Sequence, residues 1–439
     1  MAEEIVYIHI GLRSLPPELW IRIFELASVP GILDIDVPHP FPPPVLGPPK
    51  HHYDLEALKR SLQTRRSITL VCQAWYTMAL EMLYQVVFLS GAKASSIENS
   101  VQCFRRTLVD FDDSLWPHQS RGRRANPGRY TRHLLLESIT GPLCQKIPAI
   151  TIRLPNVAIL TIIESSLTDD FGWTLFTGNF ARSLRRINYC PDPYKTFPEK
   201  VFVDILRAST RLRTLIVDDR RPVFSLKLPR LNDLQFLAGI QGQKELQPEG
   251  SPLYPALRHV YTRGERWTGS LRDQFFESQG RALTTLSLDL RMDPARDFSI
   301  EPTNGARRGH LAWSNVSPLW HHCPSLTHIH LIYDWSQLAD LAAFALPFTM
   351  THLGIFITLP HKSFSTVSLA PNLEGLLNEI TALGSKHATL TTIRFTNADF
   401  VEWLREAVTA KSSLPSKLLL LQCMDHFRVE DYTGAEMTF

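Results

Sequence analysis

LTTLSL, residues 283–288, and LTHIHL, residues 326–331, share one spacing: an apolar residue followed by two more, three and five places later. The spacing recurs in VAILTI from Val157, LRRINY from Leu184, LRTLIV from Leu212, LNDLQF from Leu231 and LTTIRF from Leu390. Looser copies are LRHVYT from Leu257, MTHLGI from Met350 and LLLLQC from Leu418, and RHLLLES at 132–138 is predicted to be the first strand. Copies follow one another every ~19 to 28 residues, with two intervals near ~40, a period that marks stacked repeats. The alternating apolar pair makes a short parallel strand, the leading residue packs beneath it, and a return segment closes the unit. One such unit cannot bury its own apolar face, so the units must stack.

The return segments FPEKVFVDILRAS, LRDQFFESQ and VEWLREAVTA carry a helical period. The two long intervals hold RMDPARDFSIEPTNGARRGH, read as an irregular loop, and LPHKSFSTVSLAPNLEGLLNEITALG, read as an added helix. Residues 131–439 therefore resemble an irregular leucine-rich-repeat solenoid, an α/β fold with parallel strands inside and helices outside. No regular asparagine follows each strand, and an ordinary α/β domain is the alternative.

Side chains alternating with the buried ones would form the concave strand face, where a repeat protein most often holds its partner. In register these include Asn188, Asp218, Gln235, His259, Tyr261, Ser287, Asp289, His328, His330, His352, Phe356 and Arg394, the candidate substrate-binding residues. Mixed aromatic, polar and charged groups suit a protein, whereas a phosphate backbone would demand mostly Lys and Arg. His321, His322, Cys323, His328 and His330 are the densest set of metal-ligand types, with His352 on the next strand. No fourth ligand is evident, so a contact with a partner is the better reading and no metal or cofactor is expected. There is no G-x-S-x-G elbow, Walker loop, G-x-G-x-x-G fingerprint or H-E-x-x-H pair, so catalysis is not expected.

The formal charge of +3, from 46 basic and 43 acidic groups, gives no electrostatic reason to expect nucleic acid or an anionic membrane. The cysteines Cys72, Cys103, Cys144, Cys190, Cys323 and Cys423 form no C-x-x-C pair, which reads as free thiols in a reducing compartment. MAEEIVYIHIGLRS lacks the basic and apolar regions of a secretory signal, and no stretch has the ~20 apolar residues of a membrane helix. A soluble cytoplasmic or nuclear protein is expected.

Ahead of the repeats, SLPPELWIRIFELA places Leu19, Ile23, Leu26 and Ala27 on one helical stripe widened by Trp20 and Phe24, with prolines suited to the first turn. After the uncharged, proline-dense PHPFPPPVLGPP, read as an extended solvated connector, comes DLEALKRSLQTRRSITLVCQAWYTMALEMLYQ. It reads as one helix or two, with Ile68, Val71, Cys72, Trp75, Ala79 and Met82 on a shared face. A unit this small cannot hide such wide apolar faces by itself, so a partner must cover part of them. SSIENSVQCFRRTLVDF reads as a bridging helix with Ile97, Val101, Phe104 and Leu108, and Arg121, Arg123, Arg124 and Arg129 mark a hinge before residue 131.

LPPELWIRIF followed by SITLVCQAW resembles the F-box, a three-helix motif with the pattern Leu-Pro-x-Glu-Leu, Ile-Phe, Val-Cys-x-x-Trp. Leu15, Pro16, Glu18, Leu19, Ile23, Phe24, Val71, Cys72 and Trp75 match it. Two departures are the proline-rich insertion that splits the motif and Gln73, where the family often has Lys or Arg. Split F-boxes of this kind occur in fungal F-box proteins, which the whole chain resembles. The expected organisation is an N-terminal segment 1–12, an F-box 13–92 with the insertion at about 30–53, a bridging helix and Arg-rich linker 93–130, and the repeat domain 131–439. The resemblance implies a non-catalytic substrate receptor of a Skp-cullin-F-box ubiquitin ligase. It would bind a Skp-family adaptor, and through it cullin and RING subunits, with Leu15, Pro16, Leu19, Ile23, Phe24, Val71, Cys72 and Trp75 facing or supporting the adaptor. The repeat domain would hold a protein substrate. The alternative is a leucine-rich-repeat protein-binding scaffold that assembles no ligase.

Overall fold

The computed structural model describes residues 15–27, 40–42, 55–91, 101–108, 126–139, 141–165, 179–190, 199–218, 229–239, 254–263, 275–291, 317–334, 346–359, 366–409, 423 and 426–437. The chain divides into two compact units: Met1–Asp36 with Gly47–Arg213, and Val37–Leu46 with Thr214–Phe439. The N-terminal segment 1–12, Ile97, Arg121, Arg123, Arg124, most of the proline-rich insertion, the loop at 293–310 and LLLLQ at 418–422 lie outside the described residues.

Among the described residues the first unit has, ahead of its strands, the helices α1 (Pro17–Leu26), α2 (Leu55–Thr69) and α3 (Gln73–Tyr84). The long apolar segment is thus two helices, parted at Leu70–Cys72, where extended backbone at Cys72 (φ −161°, ψ 168°) ends the shared face. Four strands follow, β1 (Val86–Ser90), β2 (His133–Glu137), β3 (Ile159–Ile163) and β4 (Arg186–Cys190), parallel and in chain order. β1 corrects the expectation that RHLLLES opens the sheet: VVFLS, with two β-branched residues and a phenylalanine, pairs in parallel with β2 ahead of it. Of the bridging helix, residues 101–108 are helical, with Val101 and Leu108 buried and Phe104 lying 6.5 Å from Tyr84.

The second unit has β5 (Thr214–Val217), β6 (Phe236–Ala238), β7 (His259–Arg263), β8 (Thr285–Asp289), β9 (His328–Asp334), β10 (His352–Thr358), β11 (Thr392–Phe395) and β12 (Arg428–Glu430), again parallel and in chain order. Both units are α/β, with the parallel strands that the repeat pattern predicted. β12, like β1, falls outside the repeats read from sequence.

The register is carried by one local device. The leading apolar residue donates its N–H three residues back, as Leu212 does to Ser209, Leu257 to Tyr254, Leu283 to Gly280, Leu326 to Cys323 and Leu390 to His387. One carbonyl just before a strand then accepts two N–H groups from the start of the next strand. Arg258 O takes Thr284 and Thr285, Thr284 O takes Thr327 and His328, and Thr351 O takes Thr391 and Thr392. Stacking in this frame aligns Leu215, Leu237, Val260, Leu286, Ile329, Leu353, Ile393 and Val429 in one buried row. In each unit a helix packs against the strands. Phe400 of the helix Ala398–Thr409 stands 5.3 Å from Phe395, and Phe202 of the helix Glu199–Ala208 stands 5.2 Å from Tyr189 of β4. The added helix is present as Thr366–Lys386.

The frame also corrects one repeat. In LNDLQFLAG the leading residue is Leu234, whose N–H bonds Leu231 O, so the unit runs three residues later than the reading from Leu231. Gly239, at the place of the second strand apolar residue, concealed it.

Leu353 is buried at the centre of the row, between Ile329 and Ile393. Leu353→Ala is expected to cost about 2–5 kcal/mol in urea denaturation, through lost burial and a cavity that stacked neighbours cannot close. A loss below about 1 kcal/mol would contradict the ladder as the main source of stability.

Candidate functional site

The candidate residues fall on the helices of the first unit and on the strands of both units. On α1 the apolar residues divide between an inward and an outward face. Trp20 and Phe24 are buried, while Leu19, Ile23 and Leu26, one stripe at i, i+4 and i+7, are 49%, 44% and 72% exposed. The reason is Trp75 of α3, whose ring sits 4.8 Å from Trp20 and 5.0 Å from Phe24. Ala79 and Met82 complete this aromatic core, with Ile68, Trp75 and Met78 against it. Bulky rings bury more area than Leu or Ile and so win the interior. Of the eight residues singled out on the helical unit, Phe24 is core and Trp75 braces it. Leu15, Pro16, Leu19, Ile23, Val71 and Cys72 are exposed, as is Leu70 beside them.

In the second unit, the face opposite the buried ladder is less open than predicted. Asp218, His259, Tyr261, Ser287, Asp289 and His330 are buried, as is Asn188 in the first unit. Several of these side chains pair with polar groups on other strands, the usual outcome for buried polar groups. His259 Nε2 pairs with Ser287 Oγ at 2.8 Å, Tyr261 OH donates to Asp289 at 3.1 Å, and Arg291 clamps Asp289 at 2.7 Å and 2.9 Å. In the first unit Asn188 donates to Thr161 Oγ1 at 2.9 Å, and His133 meets the same hydroxyl. Ile216, Phe236, Ala238, Tyr261 and Ile332 form an apolar cluster on the second unit's face, with Phe356 against it. Gln235 is exposed but leaves the face, because the three-residue shift places it just before β6, where its carbonyl receives Arg258 and His259.

His328, His352, Phe356 and Arg394, on β9, β10 and β11, remain partly exposed on this face. His328 and His352 are register partners and stack at 4.4 Å with 15° between their planes. His330 bonds Thr396 Oγ1 through Nε2 at 2.9 Å, and Arg394 is fixed by Glu430 at 2.6 Å and 2.8 Å. Against this group lies Phe41, from the insertion expected to be a solvated connector. Its ring is 5.9 Å from His328 and 5.6 Å from His330, with the Arg394 guanidinium 5.4 Å from its centroid. Pro42 is buried beside it. The signal in the sequence was one aromatic residue among prolines, and nothing local says where such a residue docks.

The titration of these groups is set by burial. Burial lowers His330 from the usual 6.5 to about 3. His352 is lowered by burial first, with Glu430 opposing and Arg394 and Arg428 adding to the effect. Burial pushes the Cys323 thiol up to about 12, and it raises Cys423 as well, with the hydrogen bond to Thr381 opposing. Among the described residues no three His, Cys, Asp or Glu side chains are grouped to hold a metal ion, and no helix is long and apolar enough to cross a membrane. No protein-family model matches the chain, and no curated protein is significantly similar to it.

Because His330 takes a proton more readily unfolded than folded, its contribution to stability is complete above about pH 6.5 and falls as pH drops toward 3, by up to about 1.4 kcal/mol per pH unit. His330→Gln is expected to flatten the fall in denaturation midpoint between pH 6.5 and 4.5. Equal slopes in variant and wild type would contradict a buried neutral imidazole.

Proposed function

We propose that the chain is the substrate-recognition subunit of a Skp-cullin-F-box ubiquitin ligase, binding a Skp-family adaptor through its helical unit and a protein substrate through its strand-built units. The receptor performs no chemistry itself. It holds a substrate while the cullin and RING subunits, reached through the adaptor, bring the ubiquitin-conjugating enzyme. The observation that carries this reading is the outward stripe of Leu19, Ile23 and Leu26, joined in exposure by Leu15, Leu70 and Val71 at 37%, 74% and 60%. A helix that presents three large apolar residues at i, i+4 and i+7 to water has the form of an anchor for a hydrophobic groove. The positions matching the F-box pattern divide accordingly, with aromatic residues holding the helices together and most aliphatic ones left outside.

This division gives two kinds of variant. Leu19→Glu combined with Val71→Glu changes only exposed positions and is expected to weaken capture of a Skp-family adaptor at least tenfold while leaving the melting transition within a few degrees of wild type. Trp75→Ala removes the ring between Trp20 and Phe24 and is expected to lose adaptor binding together with about 3–5 kcal/mol of stability. If the unmodified full-length chain binds no Skp-family adaptor in co-purification, the ligase reading falls and a protein-binding scaffold remains.

A further inference from the structure

Phe41 is buried to 8% exposure although it lies between prolines in a stretch with no helical or strand period. In the chain it falls between two stretches of the first unit, yet it belongs to the second. What admits it is a notch in one row of side chains. Tyr261, Ser287, His330, Gly354, Arg394 and Glu430 are register partners from β7 to β12, and only position 354 lacks a side chain. A methyl group at 354 would stand 2.8 Å from both Cγ and Cε1 of Phe41, so the ring seats directly on the strand backbone. The walls are the imidazoles of His328 and His330, and the Arg394 cation faces the ring at 5.4 Å. Each wall is already held by another group. His328 stacks on His352, His330 bonds Thr396, and Arg394 is locked by Glu430. A glycine floor, aromatic walls and a fixed cation make a preorganised seat for a π-face.

We propose that this notch is a recognition site for a phenylalanine carried between prolines in an extended segment, and that Phe41 is its resident intramolecular ligand. Proline limits its own φ and biases the preceding residue toward extended backbone, so such a segment loses little freedom on docking. A partner protein with an exposed proline-flanked phenylalanine competes with Phe41 for the notch. Identifying that partner as the ubiquitination substrate rests on the receptor reading above; the pocket itself does not.

The test uses the full-length protein and a fluorescent peptide of residues 37–46, VPHPFPPPVL, followed by anisotropy. Phe41→Ala vacates the notch and is expected to bind the peptide at least tenfold more tightly than wild type, whose own Phe41 competes. Adding Gly354→Val to Phe41→Ala, or replacing the peptide's phenylalanine by alanine, is expected to abolish the gain. Where Phe41→Ala fails to fold, Phe41→Leu keeps an apolar plug without a π-face and is expected to show the same direction of change. A folded Phe41 variant that binds the peptide no better than wild type, or binds the alanine peptide equally well, would overturn the proposal. Adaptor capture measured on the same samples separates the two ideas. Peptide binding without adaptor binding leaves the notch and removes the ligase, while the converse leaves the ligase and removes the notch.

Discussion

Everything in the strand-built part of this protein depends on one constraint: a strand of three to seven residues has too little apolar surface to be stable unless another strand of the same kind lies against it. A leading apolar residue such as Leu212, Leu257, Leu283, Leu326 or Leu390 meets that constraint twice. It is buried beneath its own strand, and its N–H closes the tight turn that aims the strand. A carbonyl before one strand, shared by two N–H groups of the next, then transmits the register. The buried row from Leu215 to Val429 results from that repetition, and Leu234 keeps the same frame although Leu231 mimics its spacing in the sequence.

On the opposite face, close approach of the strands has its own consequence. Side chains that alternate with the ladder meet their register partners, and polar ones pair before a ligand arrives. His259 with Ser287, Tyr261 with Asp289, and His330 with Thr396 are such pairs. An apolar cluster closes over part of the second unit's face. Alternation therefore identified which side chains share a face, but exposure on that face is concentrated on β9 to β11, where large side chains flank a glycine. The helical unit solves the opposite problem. Trp20, Phe24 and Trp75 fill an interior too small for all its apolar residues, and Leu19, Ile23 and Leu26 are left outside.

The repeat spacing was enough to predict parallel strands, the leading residues, and the helices at Glu199–Ala208, Thr366–Lys386 and Ala398–Thr409. Each is written in a local period of two or 3.6 residues together with the spacing between copies. β12 escaped because His426 and Asp431 stand where other copies have apolar residues around Val429, and β1, whose Tyr84, Val87 and Leu89 keep the spacing, directly follows a helical run. The frame at Leu234 escaped because Gly239 removed one apolar mark while Leu231 supplied a false one. The direction of the α1 stripe escaped because a helix with apolar residues on two sides has no preferred inside until Trp75 takes one of them.

By itself the sequence determined the α/β class, the parallel strands, the ladder of buried leucines and isoleucines, and the excess of apolar residues in the helical unit. All of these are properties of periodicity and composition. Only the tertiary structure decided which apolar residues face water, which polar residues pair with one another, and that Phe41 sits over Gly354 between two histidines and an arginine. Those outcomes depend on side chains far apart in the chain competing for the same space, and no local pattern records the result of that competition.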